Sequence, residues 1–262
     1  MKPQSKLTPK QTASSPKVAT RGKRLKPRSH KRLLKFRKTN STCCDSVSHE
    51  SRTEASYNAH LLATFDQLKR IMLLPPADPQ LLLQKRKRLT CPPGFAKTLV
   101  FDLEGTLLCT AAGSFKLRPY VYECLQFAHK HFELVVFSDW PADVTAQAVS
   151  ALGSSQSLIA HTLARDQCIE WKEDLIKDLR VLADRPLNNT IIVDDSVFSF
   201  AYQLANGIPI LPWTGDPADD ELLRLIDYLE TLALAADVRV VNTATFNLEH
   251  VYSEYIQEVY AT

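Results

Sequence analysis

The 262-residue chain carries 32 Lys and Arg against 29 Asp and Glu, and its small net charge of +3 hides a strong asymmetry along the sequence. No window approaches eighteen consecutive apolar residues, and the amino terminus lacks the apolar core of a secretory signal, so we expect a soluble protein with no membrane span. The six cysteines form no C-x-x-C pair, which predicts free thiols in a reducing compartment and no zinc site.

The first forty residues form a basic arm. They hold 14 Lys and Arg, four prolines and no acidic residue, which leaves a formal charge of −11 on residues 41–262. Few of them are apolar, so burial cannot offset the entropy lost on ordering, and we predict disorder.

Three roles for the basic arm stay open. The runs RGKRLKPR and HKRLLKFRK suit nuclear localisation or nucleic-acid binding, and the arm as a whole suits a plain solvated tail. Its lack of acids also suits a mitochondrial presequence that contacts an import receptor, but its prolines and its excess of lysine over arginine disfavour this role. We therefore predict a nuclear or cytoplasmic location, with a mitochondrial one less favoured.

A linker and a helical segment follow the arm. Residues 41–54 are polar, so the predicted disordered region covers 1–54. Apolar side chains at helical spacing predict an amphipathic helix over Ala55–Leu74, ended by Pro75-Pro76; they are Leu61, Leu62, Phe65, Leu68 and Met72. A short second helix is expected over Leu81–Leu89. Cys91-Pro-Pro-Gly94 then marks the boundary between a helical segment, 55–93, and a domain over 94–262.

Three short apolar runs each end in polar residues. The runs are Thr98–Phe101, Glu133–Phe137 and Thr190–Val193, and each is typical of a strand buried on both faces. The polar residues that follow them are Asp102, Glu104 and Thr106; Ser138 and Asp139; and Asp194, Asp195 and Ser196. With helical segments between them these strands are expected to be parallel, and parallel sheets place ligands at the carboxyl ends of their strands. All three clusters are therefore predicted to converge on one site.

The pattern as a whole predicts one α/β domain, a doubly wound parallel sheet of about five strands. We expect helices over Pro119–His131, Ala142–Leu152, Asp219–Leu232 and Asn247–Tyr260, and further strands over Ile208–Leu211 and Asp237–Val241. The helix over Asp219–Leu232 is expected to bury one apolar face, formed by Leu222, Leu223, Leu225, Ile226 and Leu229.

This constellation fits phosphoryl transfer through a carboxylate. An aspartate can attack phosphorus and form an aspartyl-phosphate, and a divalent cation held by carboxylates neutralises the developing charge. A hydroxyl and a lysine would hold the phosphoryl oxygens, and Lys177 is expected on a helix ahead of the third strand. Simpler roles are also open: the acids as helix caps, Ser138 as an ordinary strand-end hydroxyl, and Lys177 in a surface ion pair with Glu173.

These residues resemble the four motifs of the haloacid dehalogenase superfamily. The motifs are Asp102-Leu-Glu-Gly-Thr106, Ser138, Lys177-Asp178-Leu179 and Asp194-Asp195, with further matches at Arg118-Pro119 and NGIPILPW (Asn206–Trp213). Over Lys97–Asn242 the arrangement resembles the RNA polymerase II C-terminal-domain small phosphatases, which have an NLI-interacting-factor-like domain. The resemblance implies a Rossmann-like sheet of the haloacid dehalogenase type. It also implies a phosphoric monoester hydrolase, a Mg²⁺-dependent Ser/Thr phosphoprotein phosphatase that acts on a polymerase-tail-like phosphopeptide.

The resemblance also implies a role for each motif residue. Asp102 would be the nucleophile and a Mg²⁺ ligand, and Glu104 the acid that protonates the leaving group. The phosphoryl oxygens would be held by Thr106, Ser138 and Lys177, and the metal by Asp102, Glu104, Asp194 and Asp195. The candidates for substrate contact are Asp139, Trp140 and Arg118, the first two because of their position in a loop beside the site.

Two departures from the family pattern bear on function. The family has an aspartate where this chain has Glu104, whose extra methylene shifts the carboxyl by about one bond, ~1.5 Å, so we expect reduced activity. Only 11 residues separate Thr106 from Arg118, where the polymerase-tail phosphatases carry a longer β-rich insertion. The matrix-import receptor subunit of the mitochondrial inner-membrane translocase has a similarly short connection and uses the fold for peptide binding. The alternative is therefore a catalytically weak or inactive relative that binds a peptide or another partner.

Overall fold

The computed structural model describes residues 60, 63–90, 92 and 94–250. The basic arm over 1–40 and the linker over 41–54 lie outside these residues. So does the expected last helix beyond residue 250, although residues 248–250 are helical. Within the described ranges, no helix has the length and apolar character needed to cross a membrane.

A five-stranded parallel sheet lies at the centre of the fold. The strands are β1 (Lys87–Arg88), β2 (Thr98–Phe101), β3 (Leu108–Ala111), β4 (Ser114–Leu117), β5 (Glu133–Phe137), β6 (Ile159–Leu163), β7 (Ile169–Trp171), β8 (Asp174–Ile176), β9 (Leu182–Ala183), β10 (Thr190–Asp194) and β11 (Gly207–Pro209). The central sheet has the order β11-β10-β2-β5-β6 with parallel pairing throughout. Every residue of β2, β5 and β10 is buried, as continuous apolar strands covered on both faces require.

The order of the strands makes the sheet doubly wound. From β2 the chain adds β5 and then β6 on one side, and it returns to add β10 and β11 on the other. Because parallel crossovers are right-handed, this change of direction places the connections on opposite faces of the sheet. The predicted α/β fold with a parallel sheet of about five strands is confirmed.

Helices and short 3-10 stretches cover the sheet. The helices are α1 (63–71), α2 (Pro79–Lys85), α3 (Val121–His129), α4 (Ala142–Ala151), α5 (Glu221–Leu234) and α6 (Val238–Thr245). Two 3-10 stretches flank the site, Leu179–Val181 and Val197–Asn206. The predictions for α3, α4 and α5 are confirmed to within two residues at each end.

Four local predictions are wrong. The helix expected over Leu81–Leu89 lies earlier, as α2 (Pro79–Lys85), and Lys87–Arg88 form strand β1. The strand expected at Asp237–Val241 is helix α6, because the Asp237 side chain caps it by accepting from Arg239 N, and Val238 and Asn242, four residues apart, are both buried. The strand expected over Ile208–Leu211 is shorter and begins earlier, as β11. On α5, Leu223 is 45% exposed because the buried stripe runs through Leu222, Leu225 and Leu229.

The segment over residues 63–90 packs on the sheet domain. Phe65 and Leu68 of α1 lie in the same buried core as the strands. Gln67 Oε1 accepts a hydrogen bond from Phe198 N at 3.3 Å, and the Arg70 guanidinium lies 4.6 Å from the centre of the Phe198 ring. The segment therefore supports the 3-10 stretch Val197–Asn206.

A buried ion pair closes the amino-terminal end of the sheet. Arg185 donates to both carboxylate oxygens of Glu133, at 2.7 and 2.6 Å, and Thr98 Oγ1 donates to the same carboxylate at 2.8 Å. Burial alone would raise the pKa of Glu133, but these donors outweigh it and lower the pKa. Arg185 also donates to Thr90 O, so the pair ties the end of the segment over 63–90 to the sheet.

Candidate active site

The carboxyl ends of β2, β5 and β10 bring the predicted polar residues to one edge of the sheet. The parallel register places Asp102 beside Asp194, and Ser138 directly follows the last residue of β5. Asp102 N donates to Val193 O at 3.0 Å, which continues the ladder to the end of the strands. All three side chains are almost fully buried. The predicted convergence of the three clusters on one edge is therefore present in the fold.

Three aspartates form a compact acidic group at this edge. Among the residues that the structure describes, Asp102, Asp194 and Asp195 are the one set of possible metal ligands whose donor atoms all lie within 4.8 Å of one another. Lys177 Nζ joins the group by donating to Asp102 Oδ1 at 2.5 Å and to Asp194 Oδ2 at 2.7 Å. The Lys177 side chain is 2% exposed, and both carboxylate partners are also buried, so the two ion pairs are shielded from bulk water.

Lys177 reaches this position from a loop, and its predicted place on a helix is wrong. It follows β8 and precedes the 3-10 turn Leu179–Val181. Its backbone N–H donates to Ser199 O at 2.6 Å, which ties the loop to the stretch that follows Asp194 and Asp195. The backbone contact, rather than helix geometry, therefore fixes where the ammonium lies.

Burial and the excess of carboxylates over ammonium groups shift the pKa values in this group. Burial raises the pKa of Asp102 well above its usual value, and Asp194 and Asp195 raise it further against the opposing effect of Lys177. Burial and the charge of Asp194 likewise raise the pKa of Asp195, to about 7. For Lys177, burial alone would lower the pKa, but the two aspartates outweigh it and raise the pKa. When all three carboxylates are ionised, the one ammonium leaves two negative charges, which match one divalent cation with oxygen ligands.

Two buried hydroxyls flank the acidic group. Thr106 Oγ1 donates to Asp102 Oδ2 at 3.3 Å, and Ser138 Oγ accepts from Trp140 N at 3.1 Å. The Trp140 ring is partly buried against Phe115 of β4, with ring centres 5.7 Å apart, and Asp139 is partly exposed. Of the predicted substrate contacts, Asp139 and Trp140 therefore lie beside the site with surface that a ligand can reach.

Glu104 lies outside the acidic group. Its Oε2 accepts from Thr110 Oγ1 at 3.0 Å and its Oε1 accepts from Thr110 N at 3.3 Å, so its carboxylate faces the β3–β4 hairpin. The structure thus brings Asp102, Asp194 and Asp195 together as predicted metal ligands and does not bring Glu104 to them.

Arg118 is buried behind the loop after β2, and its role needs correction. The side chain is fully buried, and its guanidinium donates twice to Asp219, at 2.7 and 2.8 Å. It also donates to three carbonyl oxygens, of Gly105, Thr106 and Leu211, at 3.0, 3.2 and 2.9 Å. A guanidinium with five internal bonds supports the loop that carries Asp102 and Thr106, and it has no surface left for a substrate.

A glycine lets this loop approach Asp195. Gly105 has φ +72°, and a Cβ at this position would lie 2.6 Å from Asp195 Oδ2. Gly105 O also accepts from Trp213 N at 2.8 Å. Both the left-handed backbone and the close approach therefore require glycine between Glu104 and Thr106.

Sequence reasoning missed two residues that hold the site together. Asp219 was expected only as the start of a helix, although the acidic run before that helix could have signalled a partner for a buried arginine. Thr110 carried no signal, because a lone threonine in a short connection is common. Both partners became visible only through contacts in the folded chain.

Comparison with known proteins places this edge in a family context. Residues 97–239 match the family described as NLI interacting factor-like phosphatase. The chain is 37% identical over 127 residues to "CTD small phosphatase-like protein 3" of Caenorhabditis elegans, which covers 48% of this chain and 44% of that protein. It is 31% identical over 144 residues to "Mitochondrial import inner membrane translocase subunit TIM50" of Candida glabrata, covering 54% of this chain and 29% of that protein.

Each match covers only part of the relative's own length. The chain spans less than half the length of either of these curated relatives. A solved structure, described as "The Structure of Fcp1, an essential RNA polymerase II CTD phosphatase", aligns with 68% of this chain and 65% of its own at 13% identity and a TM-score of 0.40. The range matched to the family covers more than half of the 262 residues, and it contains Asp102, Lys177, Asp194 and Asp195. The chain therefore belongs to the NLI interacting factor-like phosphatase family.

Proposed function

We propose that this chain is a Mg²⁺-dependent phosphoprotein phosphatase that hydrolyses phosphoserine or phosphothreonine through an aspartyl-phosphate on Asp102. The observation that carries the proposal is the buried contact of Lys177 with both Asp102 and Asp194 at the carboxyl edge of the sheet. A surface ion pair would not be buried in this way, and helix caps would not require an ammonium between them. Membership of a phosphatase family and the likeness to a small phosphatase of this kind support the same reaction.

The residues divide the reaction into two steps. In the first, an Asp102 oxygen attacks phosphorus, the bond from phosphorus to the leaving oxygen breaks, and Glu104 gives that oxygen a proton. In the second, water attacks the aspartyl-phosphate, Glu104 takes a proton from the water, and phosphate leaves with Asp102 restored. Throughout, Lys177, Thr106 and Ser138 hold the phosphoryl oxygens, and burial strengthens their electrostatic effect.

The acidic group fits a magnesium ion. Asp102, Asp194 and Asp195 would hold it, because carboxylate oxygens are the ligands that Mg²⁺ prefers and the ionised group has two negative charges that Lys177 does not compensate. When bound, the ion neutralises negative charge on the transferring phosphoryl group.

We expect hydrolysis of a small aryl phosphate by the full chain to require Mg²⁺. Chelation by EDTA should abolish turnover, and added Mg²⁺ should restore it. The ion should also raise the thermal unfolding midpoint, because a ligand at 100 times its Kd stabilises the folded state by about 2.7 kcal/mol. Asp195→Asn is the matched control, since it removes one carboxylate and should weaken both effects. Equal turnover in EDTA and in Mg²⁺ would contradict the metal assignment.

A second function is favoured by the position of Glu104. Its carboxylate lies outside the acidic group, and its replacement of the family aspartate leads us to propose reduced turnover. The likeness to a mitochondrial import subunit adds a relative with a different role. In this case the chain would bind a phosphopeptide or another partner. A folded protein that is stabilised by Mg²⁺ but hydrolyses no phosphate ester would support this second function.

For the basic arm over 1–40 we propose contact with nucleic acid and a nuclear or cytoplasmic location, with an import receptor as the less favoured partner. Fourteen cations without an acid bind polyanions by releasing counterions, so the affinity should fall steeply as salt rises. We expect a fluorescent oligonucleotide to bind the full chain in low salt and to be lost on deletion of residues 1–40. Salt-independent binding by the truncated chain would refute this role.

A further inference from the structure

The β3–β4 hairpin begins directly after the loop that carries Asp102 and is fixed to it. Leu108 O accepts from Gly105 N at 2.8 Å, and Leu108 N donates to Leu103 O at 3.0 Å. Arg118 N, just after β4, donates to Leu107 O at 2.9 Å. The position of the hairpin relative to the loop is therefore set by backbone hydrogen bonds at both of its ends.

One residue of this hairpin engages the whole Glu104 carboxylate. The hydroxyl and the backbone N–H of Thr110 each donate to a different oxygen of it. A glutamate has one more rotatable bond than the family aspartate, so its carboxylate has more positions to sample when unsupported. Two bonds from one residue restrict it to a single position.

The hairpin also contacts Trp140, whose backbone is bonded to Ser138, one of the residues proposed to hold phosphate. Phe115 lies opposite Thr110 in the register of β3 and β4, and its ring contacts the ring of Trp140. Trp140 N donates to Ser138 Oγ at 3.1 Å. The hairpin thus links the position of the Glu104 carboxylate to that of the Ser138 hydroxyl.

We propose that Thr110 is a positioning residue, which holds Glu104 where its carboxyl can exchange a proton with the leaving oxygen and with the attacking water. This inference rests on the proposed phosphatase function. Both side chains remain accessible, since Thr110 is exposed and Glu104 is half-buried, so a substrate can reach the carboxyl. The contact with Thr110 takes up the extra length of glutamate and makes it a usable substitute for aspartate.

The leaving group supplies a readout that distinguishes positioning of the acid from a purely structural role. Nitrophenolate is a stable anion and leaves with little help, whereas phenolate, and still more an alkoxide, needs a proton as the bond breaks. Displacing the Glu104 carboxyl should therefore slow the hydrolysis of phenyl phosphate far more than the hydrolysis of 4-nitrophenyl phosphate. A general loosening of the site should slow both substrates equally.

The test compares Thr110→Val and Thr110→Ser in the full chain with Mg²⁺. We expect Thr110→Val to lower kcat/KM, which covers only the steps up to departure of the leaving group, by about 10-fold for phenyl phosphate and by no more than about 2-fold for 4-nitrophenyl phosphate. Thr110→Ser keeps the hydroxyl and should retain the wild-type ratio. In a Glu104→Gln background, Thr110→Val should have no further effect, because the two residues act through one carboxyl.

Thr162→Val is the matched control, since Thr162 is also an exposed strand threonine but lies on β6. Thr162→Val should behave like wild type. If Thr110→Val does not fold, Thr110→Ala takes its place in the test. Equal losses on the two substrates, no loss, or additive effects with Glu104→Gln would overturn the inference while leaving the phosphatase function in place. If the wild-type chain hydrolyses neither substrate faster than Asp102→Asn does, both the inference and the proposed phosphatase function are refuted.

Discussion

Asp102→Asn is expected to lower kcat for aryl phosphate hydrolysis by at least about 10³-fold, because the amide oxygen is a far weaker nucleophile than a carboxylate and cannot form the aspartyl-phosphate. The change is nearly isosteric, and the asparagine oxygen can still accept from Lys177. The amide nitrogen then replaces the oxygen that accepts from Thr106, whose hydroxyl can rotate to accept from it instead. The measurement is kcat of the purified variant beside wild type in Mg²⁺, with substrate in excess of KM. Activity close to that of wild type would show that Asp102 is not the nucleophile.

The stability of this variant provides its control. The folded protein raises the pKa of Asp102, so it binds a proton there more tightly than the unfolded chain does. The stability that this site contributes is therefore highest at low pH and falls as pH rises through the folded pKa, so the ionised carboxylate opposes folding at neutral pH. Asparagine removes this charge, so the thermal midpoint in EDTA should be equal to or above that of wild type. An inactive but unfolded variant would leave the role of the nucleophile unproven and would contradict this expectation about stability.

Arg118→Met should lower the free energy of unfolding by about 3–5 kcal/mol, because it removes the buried arginine that pairs with the Asp219 carboxylate and that donates to the carbonyl oxygens of Thr106 and Leu211. Methionine fills much of the same volume, so the loss reports on the polar contacts rather than on a cavity. Urea unfolding followed by circular dichroism measures the effect as a shift in midpoint at unchanged slope.

Arg224 offers a matched comparison for this arginine. It pairs with Asp220 four residues earlier at 2.7 Å, but both side chains are partly exposed to solvent, by 27% and 45%. Arg224→Met should cost only about 0.3–0.5 kcal/mol, as exposed pairs of this spacing do. A loss for Arg118→Met as small as that for Arg224→Met would mean that the buried contacts do not hold the loop.

The parts of the fold predictable from sequence are those specified by local pattern. Thr98–Phe101 and Glu133–Phe137 are short, largely apolar runs rich in β-branched and aromatic residues, and such runs are typical of strands buried on both faces. The acids and hydroxyls that end these runs were placed together by the geometry of parallel sheets alone. The central sheet and its carboxyl edge could thus be inferred before any contact was known.

The remainder depended on contacts between distant residues. Val238 and its neighbours alternate as a strand would, and only the Asp237 cap and burial against the fold make them helical. Arg118 meets Asp219 across 101 residues, so its burial could not be inferred from the Arg118-Pro119 match. The contact of Glu104 with Thr110 depends on the path of a short hairpin that no periodicity describes. Tertiary contacts decided each of these positions.

Helix α1 supports two of the loops at the candidate site. It contacts Phe198 through Gln67 and Arg70, and the stretch containing Phe198 in turn binds the backbone of Lys177. All of α1 precedes the residues matched to the family, 97–239. A fragment limited to the matched range would keep every motif but lose this support, so amide hydrogen exchange at 177–181 and 197–206 should be faster in it. The rigidity of these loops therefore depends on residues that lie outside the range matched to the family.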